Sequence, residues 1–289
     1  MMKAFLPSAL LGAALALSCA APAFAGLVND VPSCYQAFKL AQPAVAAPDK
    51  LVYVLIDQTV RLTPDLQRSV VRNVNGMIQS GTKFVVAEFS AFSQGRYLKV
   101  LHTGVVERPL PAAAYDNIPI TKAPDIKACF RDQQAFAERM ADTTVMDVMN
   151  AASFSLDQSD IMAAIQDVGQ AVAEDPAQHK TLFLVTDGLE NSSVTSFYAR
   201  DAVRLINPVV ELQKAQRANM LARIPGVKVY MLGAGIMAPV THGTRAQRDG
   251  YRDPTTMAHL KSFWTAYFKA SGAQLMEFGE PALVEPVSY

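Results

Sequence analysis

Lys50-Leu51-Val52-Tyr53-Val54-Leu55-Ile56-Asp57-Gln58-Thr59 is the stretch that decides the fold class. Leu51 to Ile56 is apolar without alternation, the pattern of a strand buried on both faces in a parallel sheet covered by helices. The run stops at a carboxylate and a hydroxyl, which places Asp57 and Thr59 at the strand's carboxyl end. Ligands of open α/β sheets bind at that edge. Lys180-Thr181-Leu182-Phe183-Leu184-Val185-Thr186-Asp187-Gly188 repeats the design. Two buried strands, each delivering an Asp at its tip, imply one shared polar site.

The chain has 289 residues and is 51% hydrophobic, enough for a sizeable core. Lys plus Arg and Asp plus Glu number 26 each, so bulk charge argues for neither nucleic acid nor an anionic membrane surface. Any partner is chosen by a local site.

Residues 1–25 read as a cleaved signal peptide: Lys3, an apolar stretch from Ala4 to Leu17, and Ala23-Phe24-Ala25 before Gly26. Cys19 follows a poor lipobox, Ala16-Leu17-Ser18. No later segment is long and apolar enough for a membrane span. The expectation is a periplasmic protein. Export leaves Cys34 and Cys129 as a pair in an oxidising compartment, where a disulfide is the default and two separate buried thiols the alternative.

Residues 26–49 form an N-terminal extension and 50–289 a single domain. After Thr63-Pro64-Asp65, apolar residues Leu66, Val70, Val74, Met77 and Ile78 recur at helical spacing. Residues 83–89 and 97–106 read as a hairpin about Ser93-Gln94-Gly95-Arg96, so one strand runs antiparallel. Prolines in 107–124 predict an irregular connection, and 127–150 a long helix. Ser159 or Asp160 caps the next helix. Residues 189–223 predict a polar loop and one or two helices split at Pro208. Residues 226–233 give a strand with a flexible exit at Gly233-Ala234-Gly235, then come a loop to Pro254, a helix over 255–271 and a last strand at 273–278. The aromatic stripe Phe263, Trp264, Tyr267 and Phe268 reads as core.

A buried strand ending in Asp-x-Thr, an edge hairpin, Ser159-Asp160-Ile161 opening a helix, and a strand ending in Thr186-Asp187-Gly188 resemble, in this order, a von Willebrand factor type A domain. The resemblance implies a Rossmann-like, doubly wound α/β sheet, mostly parallel, with one antiparallel edge strand and helices on both faces. It also implies protein binding, in many members through Mg²⁺ or Mn²⁺ at a metal-ion-dependent adhesion site. Carried over, the ligand set is Asp57, Thr59, Ser159 and Asp187. Arg61 stands where the family's Asp-x-Ser-x-Ser motif has its second Ser, so the site is degenerate. A guanidinium 4 Å from Mg²⁺ costs on the order of 8 kcal/mol at an effective dielectric near 20. Arg61 therefore either turns to solvent or replaces the metal by pairing with Asp57 and Asp187. Without any ligand, Asp57 caps a helix and Asp187 shapes a turn.

Glu190-Asn191-Ser192-Ser193 follows Asp187 at the same edge, and Glu190 and Asn191, with Arg61, are candidate partner contacts. His102, His179, His242 and His259 form no ligand spacing. The loop with His242, Arg245, Arg248, Arg252 and Asp253 offers a basic rim or a solvated loop. The favoured function is recognition of another periplasmic or envelope protein. The competing one is a haloacid-dehalogenase-like phosphatase using Asp57, which lacks the second Asp that the chemistry requires at Thr59.

Overall fold

The computed structural model describes residues 29–42, 47–91, 98–154, 158–199, 202–237 and 253–289. The leader at 1–25, the turn at 93–96 and the loop residues His242, Arg245, Arg248 and Arg252 lie outside these. In chain order the elements are α1 (Cys34–Ala37), β1 (Lys50–Asp57), α2 (Pro64–Met77), β2 (Thr82–Phe89), β3 (Leu98–Val106), a 3-10 turn (Ala112–Asn117), α3 (Ala123–Ala151) and α4 (Ile161–Glu174). They continue with β4 (His179–Val185), β5 (Tyr198–Ala199), β6 (Ala202–Val203), α5 (Pro208–Arg217), β7 (Lys228–Leu232), α6 (Pro254–Ala270) and β8 (Gln274–Phe278).

The main sheet has six strands in the order β3-β2-β1-β4-β7-β8. Every pairing is parallel except β2 with β3, so the antiparallel strand is the edge that the hairpin predicts. This is an α/β fold, Rossmann-like and doubly wound. The chain leaves β1 toward β2 and β3, then returns to build β4, β7 and β8 on β1's other side. Strand order thus reverses between β1 and β4, and their carboxyl ends flank the crevice where α/β sheets hold ligands.

Two hydrophobic layers sandwich this sheet. Leu51, Tyr53 and Leu55 point into a cluster with α4, α5 and α6. Val52, Val54 and Ile56 point into the opposite cluster with α2 and α3. Each fully buried side chain of this size contributes about 1.5–3 kcal/mol, which is why β1 tolerates no polar alternation before Asp57.

Prolines account for two differences from the sequence reading. Pro124 lies inside the first turn of α3, and Pro208 opens α5 behind Asn207, whose side chain accepts the Val209 and Val210 N–H groups. Proline is tolerated at a helix start, where its missing N–H has no partner to lose. The residues before Pro208 form the short β5–β6 pair instead of a helix. The exit at Gly233-Ala234-Gly235 is pinned, its three N–H groups donating to the Pro281, Gly279 and Asp187 carbonyls.

The extension is anchored to the edge strand. Asp30 N–H donates to the Thr103 carbonyl, and the Asp30 and Asn29 side chains accept the Thr103 and Val105 N–H groups. Cys34 is disulfide-bonded to Cys129 of α3. Glu107, buried, accepts the Cys34 N–H at 2.8 Å and a Gln133 amide proton at 3.1 Å.

Candidate functional site

Asp57 closes β1 and is 1% exposed. Its Oδ1 accepts the Thr59 N–H at 2.9 Å and the Thr59 hydroxyl at 2.6 Å. Its Oδ2 accepts the hydroxyls of Ser159 at 2.9 Å and Thr186 at 2.7 Å. Four donors thus meet one carboxylate, drawn from the β1 exit, the approach to α4 and the end of β4. Among the described residues none of its partners is a cation. Burial pushes the Asp57 carboxyl above its ordinary range, against the lowering effect of the hydrogen bonds from Thr59, Thr186 and Ser159.

Each hydroxyl donates its only proton to Asp57, which turns its oxygen lone pairs elsewhere. Thr186 spends one on the Gly188 N–H at 3.2 Å. The Thr59 and Ser159 oxygens are thereby polarised and oriented as acceptors.

Asp187, 5% exposed, begins the loop after β4. Its Oδ1 accepts the Leu189 N–H at 2.8 Å and its Oδ2 the Tyr198 hydroxyl at 3.2 Å. Two glycines make this loop possible. Gly188 has φ +70°, and a Cβ there would lie 3.0 Å from Trp264 Nε1, which donates to the Gly188 carbonyl at 2.9 Å. Gly233 has φ +106°, and its Cβ would lie 2.8 Å from the Thr186 carbonyl oxygen. Only glycine fits both the left-handed backbone and the close approach. The aromatic stripe of α6 is core, and its Trp264 also braces the Asp187 loop.

Ser159 reaches Asp57 because its backbone is fixed on three sides. Ser159 and Asn191 exchange N–H···O=C bonds at 3.2 and 3.0 Å, Asp160 N–H donates to the Ser90 carbonyl, and Met162 N–H donates to Glu190 Oε2 at 3.0 Å. Asp160 occupies the N-cap position of α4, yet its side chain makes no capping bond. Glu190 reaches across from the loop after β4 to accept from the first turn of α4. It is 1% exposed, and burial raises its carboxyl to about 8 against the hydrogen bonds of Ser192, Met162 and Ile161. Glu190 is therefore not a partner contact, contrary to the sequence expectation. Asn191 is half-buried.

Arg61 is exposed. The oxygens of Asp57 are taken by hydroxyls and a backbone amide, so the arrangement in which Arg61 pairs with Asp57 is not the one formed. The described histidines form no cluster with one another: His102 meets Asp30, His259 meets the Ile206 carbonyl, and His179 is exposed. Thr186 and Tyr198 belong to the site although the ligand pattern did not include them. Thr186 was visible as a hydroxyl beside Asp187, whereas nothing in the sequence marks Tyr198.

Among the described residues, no group of three or more His, Cys, Asp or Glu is placed to hold a metal ion. A cation here would rest on carboxylate and hydroxyl oxygens together. That donor set suits hard Mg²⁺ or Mn²⁺. No helix of the described residues is long and apolar enough to cross a membrane.

No protein-family model matches the chain, and no curated protein matches it. Among solved structures it is similar to the conserved hypothetical protein BatB from Bacteroides thetaiotaomicron, at 12% identity, covering 82% of this chain and 92% of that one, with TM-score 0.35. An aerotolerance-related membrane protein from Bacteroides fragilis follows at 12% identity, 78% and 90% coverage and TM-score 0.32. Proximal thread matrix protein 1 from the mussel byssus gives 14% identity and TM-score 0.30, with 78% of this chain covering 48% of that one, so this chain spans about half its length. The fold assignment rests on the chain's own strand order and register.

Proposed function

We propose that this chain is a non-enzymatic binding module of the von Willebrand factor type A kind, exported to the periplasm, that recognises an envelope protein at the β1/β4 crevice through a divalent cation. Thr59, Ser159 and Asp187 would hold Mg²⁺ or Mn²⁺, with Asp57 orienting the hydroxyls and supplying charge. The bound cation would offer an open coordination position to an acidic side chain of the partner. The observation that carries this reading is the convergence of three hydroxyl protons on one buried carboxylate, which sets acceptor oxygens beside the negative charge of Asp57. Exposed Arg61 and the Asn191 segment then form the rim that the partner meets.

The phosphatase reading needs Asp57 Oδ1 or Oδ2 as a nucleophile, and both oxygens are each engaged by two donors. The test is capture from envelope extract by immobilised wild type and Asp187→Ala. Proteins retained by wild type in Mg²⁺, released by chelator and not held by the variant are the expected result. Retention indifferent to chelator and variant, or Mg²⁺-dependent phosphatase turnover lost in Asp57→Asn, would overturn it.

A further inference from the structure

We infer that the N-terminal extension is an autoinhibitory guard over the outer edge of β3, latched by the Cys34–Cys129 disulfide, and that the edge it covers pairs with β3 of a second copy of this chain once the guard is released. The inference is independent of the cation reading. β3 ends the main sheet, and the Thr103 carbonyl and the Thr103 and Val105 N–H groups, which point outward from it, are taken by the extension. Asp30 N–H donates to the Thr103 carbonyl at 2.8 Å, while Asp30 Oδ2 and Asn29 Oδ1 accept from Thr103 and Val105 at 3.0 and 3.1 Å. Two of these bonds end on side chains, and residues 29 and 30 form no strand of their own, so the segment blocks the ladder without extending it. An open sheet edge is a template for another chain, and native proteins cover it.

The guard is seated in a notch and tied by a covalent bond. A Cβ at Gly104 would lie 2.7 Å from Val31 Cγ2 and against the Phe84 ring, so only glycine leaves room for Val31, which is 1% exposed. Behind it, α1 is a single turn whose Cys34 and Tyr35 pack with Ile126 and Phe130 in a small cluster apart from both main cores. A cleft of about 600 Å³, lined by Asn29, Ser33, Tyr35, Lys39, Val105 and Glu107, opens between this segment and the end of β3. One helical turn is marginal by itself, so Glu107 and the disulfide to α3 hold it down.

A second copy fits the bared edge by symmetry. A two-fold axis at Gly104 sets Thr103 opposite Val105 of the other copy twice, an antiparallel register in which each pair exchanges both N–H···O=C bonds. Release of Val31 also uncovers Phe84, now 1% exposed, and pairing gives that apolar surface a cover.

The experiment is sedimentation velocity of wild type and of the variant Val31→Asp, Cys34→Ser, Cys129→Ser, in which a carboxylate no longer fits the notch and the latch is gone. The variant should gain a concentration-dependent species of twice the wild-type mass. Adding Thr103→Pro, which removes an outward N–H, should abolish that species. Equal masses for wild type and variant, or a dimer that survives Thr103→Pro, would overturn the inference. A second measurement needs no variant to fold: a fluorescent peptide of residues 98–106 is titrated with wild type before and after reduction by a dithiol. Reduced protein should bind it tighter by about 10-fold or more, because the closed guard withholds the edge. Equal binding in the two states would overturn the inference.

Discussion

Ser159 donates its hydroxyl proton to Asp57 Oδ2 at 2.9 Å across a sequence separation of 102 residues. The bond ties the approach to α4 to the tip of β1, and with Thr186 it leaves that oxygen of Asp57 doubly satisfied. Removing one donor strands part of a buried charge. Thr186→Val, close to isosteric, should cost roughly 1–3 kcal/mol, and Ser159→Ala a similar amount. Urea denaturation with an unchanged m-value checks this; a loss under about 0.5 kcal/mol in both would contradict the geometry.

Glu190 gives stability a pH dependence. Its folded carboxyl titrates at about 8 against an ordinary 4.5. Between these values the folded chain keeps a proton that the unfolded chain has released. This contribution is fully present below about pH 4.5 and is lost as pH rises toward 8. Glu190→Gln should therefore be more stable than wild type at pH 8.5 and gain little at pH 4.5. Thermal melts at the two pH values measure the difference, and a gain independent of pH would refute it.

The disulfide closes a long loop, with Cys34 and Cys129 separated by 95 residues. On the chain-entropy model it stabilises by about 4–5 kcal/mol. The double variant Cys34→Ser, Cys129→Ser should lose stability on that order in guanidinium titration. Reductant should lower the wild-type melting temperature and leave the variant unaffected.

The loop that presents Asp187 depends on Gly188 and Trp264. Gly188→Ala forces a side chain into left-handed backbone at 3.0 Å from the indole nitrogen. It should destabilise by about 1–3 kcal/mol. Trp264→Phe removes the bond to the Gly188 carbonyl and should cost more than the roughly 1 kcal/mol of that bond, because packing volume is lost as well. Urea titration of the two variants tests both.

Where burial alone dictates residue type, the sequence was readable. The runs of β1 and β4 are apolar throughout because both faces are covered, and the acidic tips follow from the sheet edge they reach. Ser159 reads alone only as a helix cap and joined the set through the family resemblance, whereas Asp57, Thr59 and Asp187 could be named from strand ends, since each is local to its own element. Glu190 could not. In a polar tetrad it looks solvated, and only the tertiary placement of α4 turns it inward. Tyr198 and Trp264 escaped for a related reason: an aromatic side chain announces burial, while its polar atom's partner is chosen by a distant loop. Pro124 and Pro208 read as breaks because a proline's effect depends on whether it stands before or inside a first turn.

The most direct measurement is Mn²⁺ titration of wild type against Asp187→Ala, followed by calorimetry and by the melting temperature of each protein with and without the cation. The account predicts saturable one-to-one binding and a raised melting temperature for wild type only. Equal heats and equal melting shifts in both proteins would contradict it.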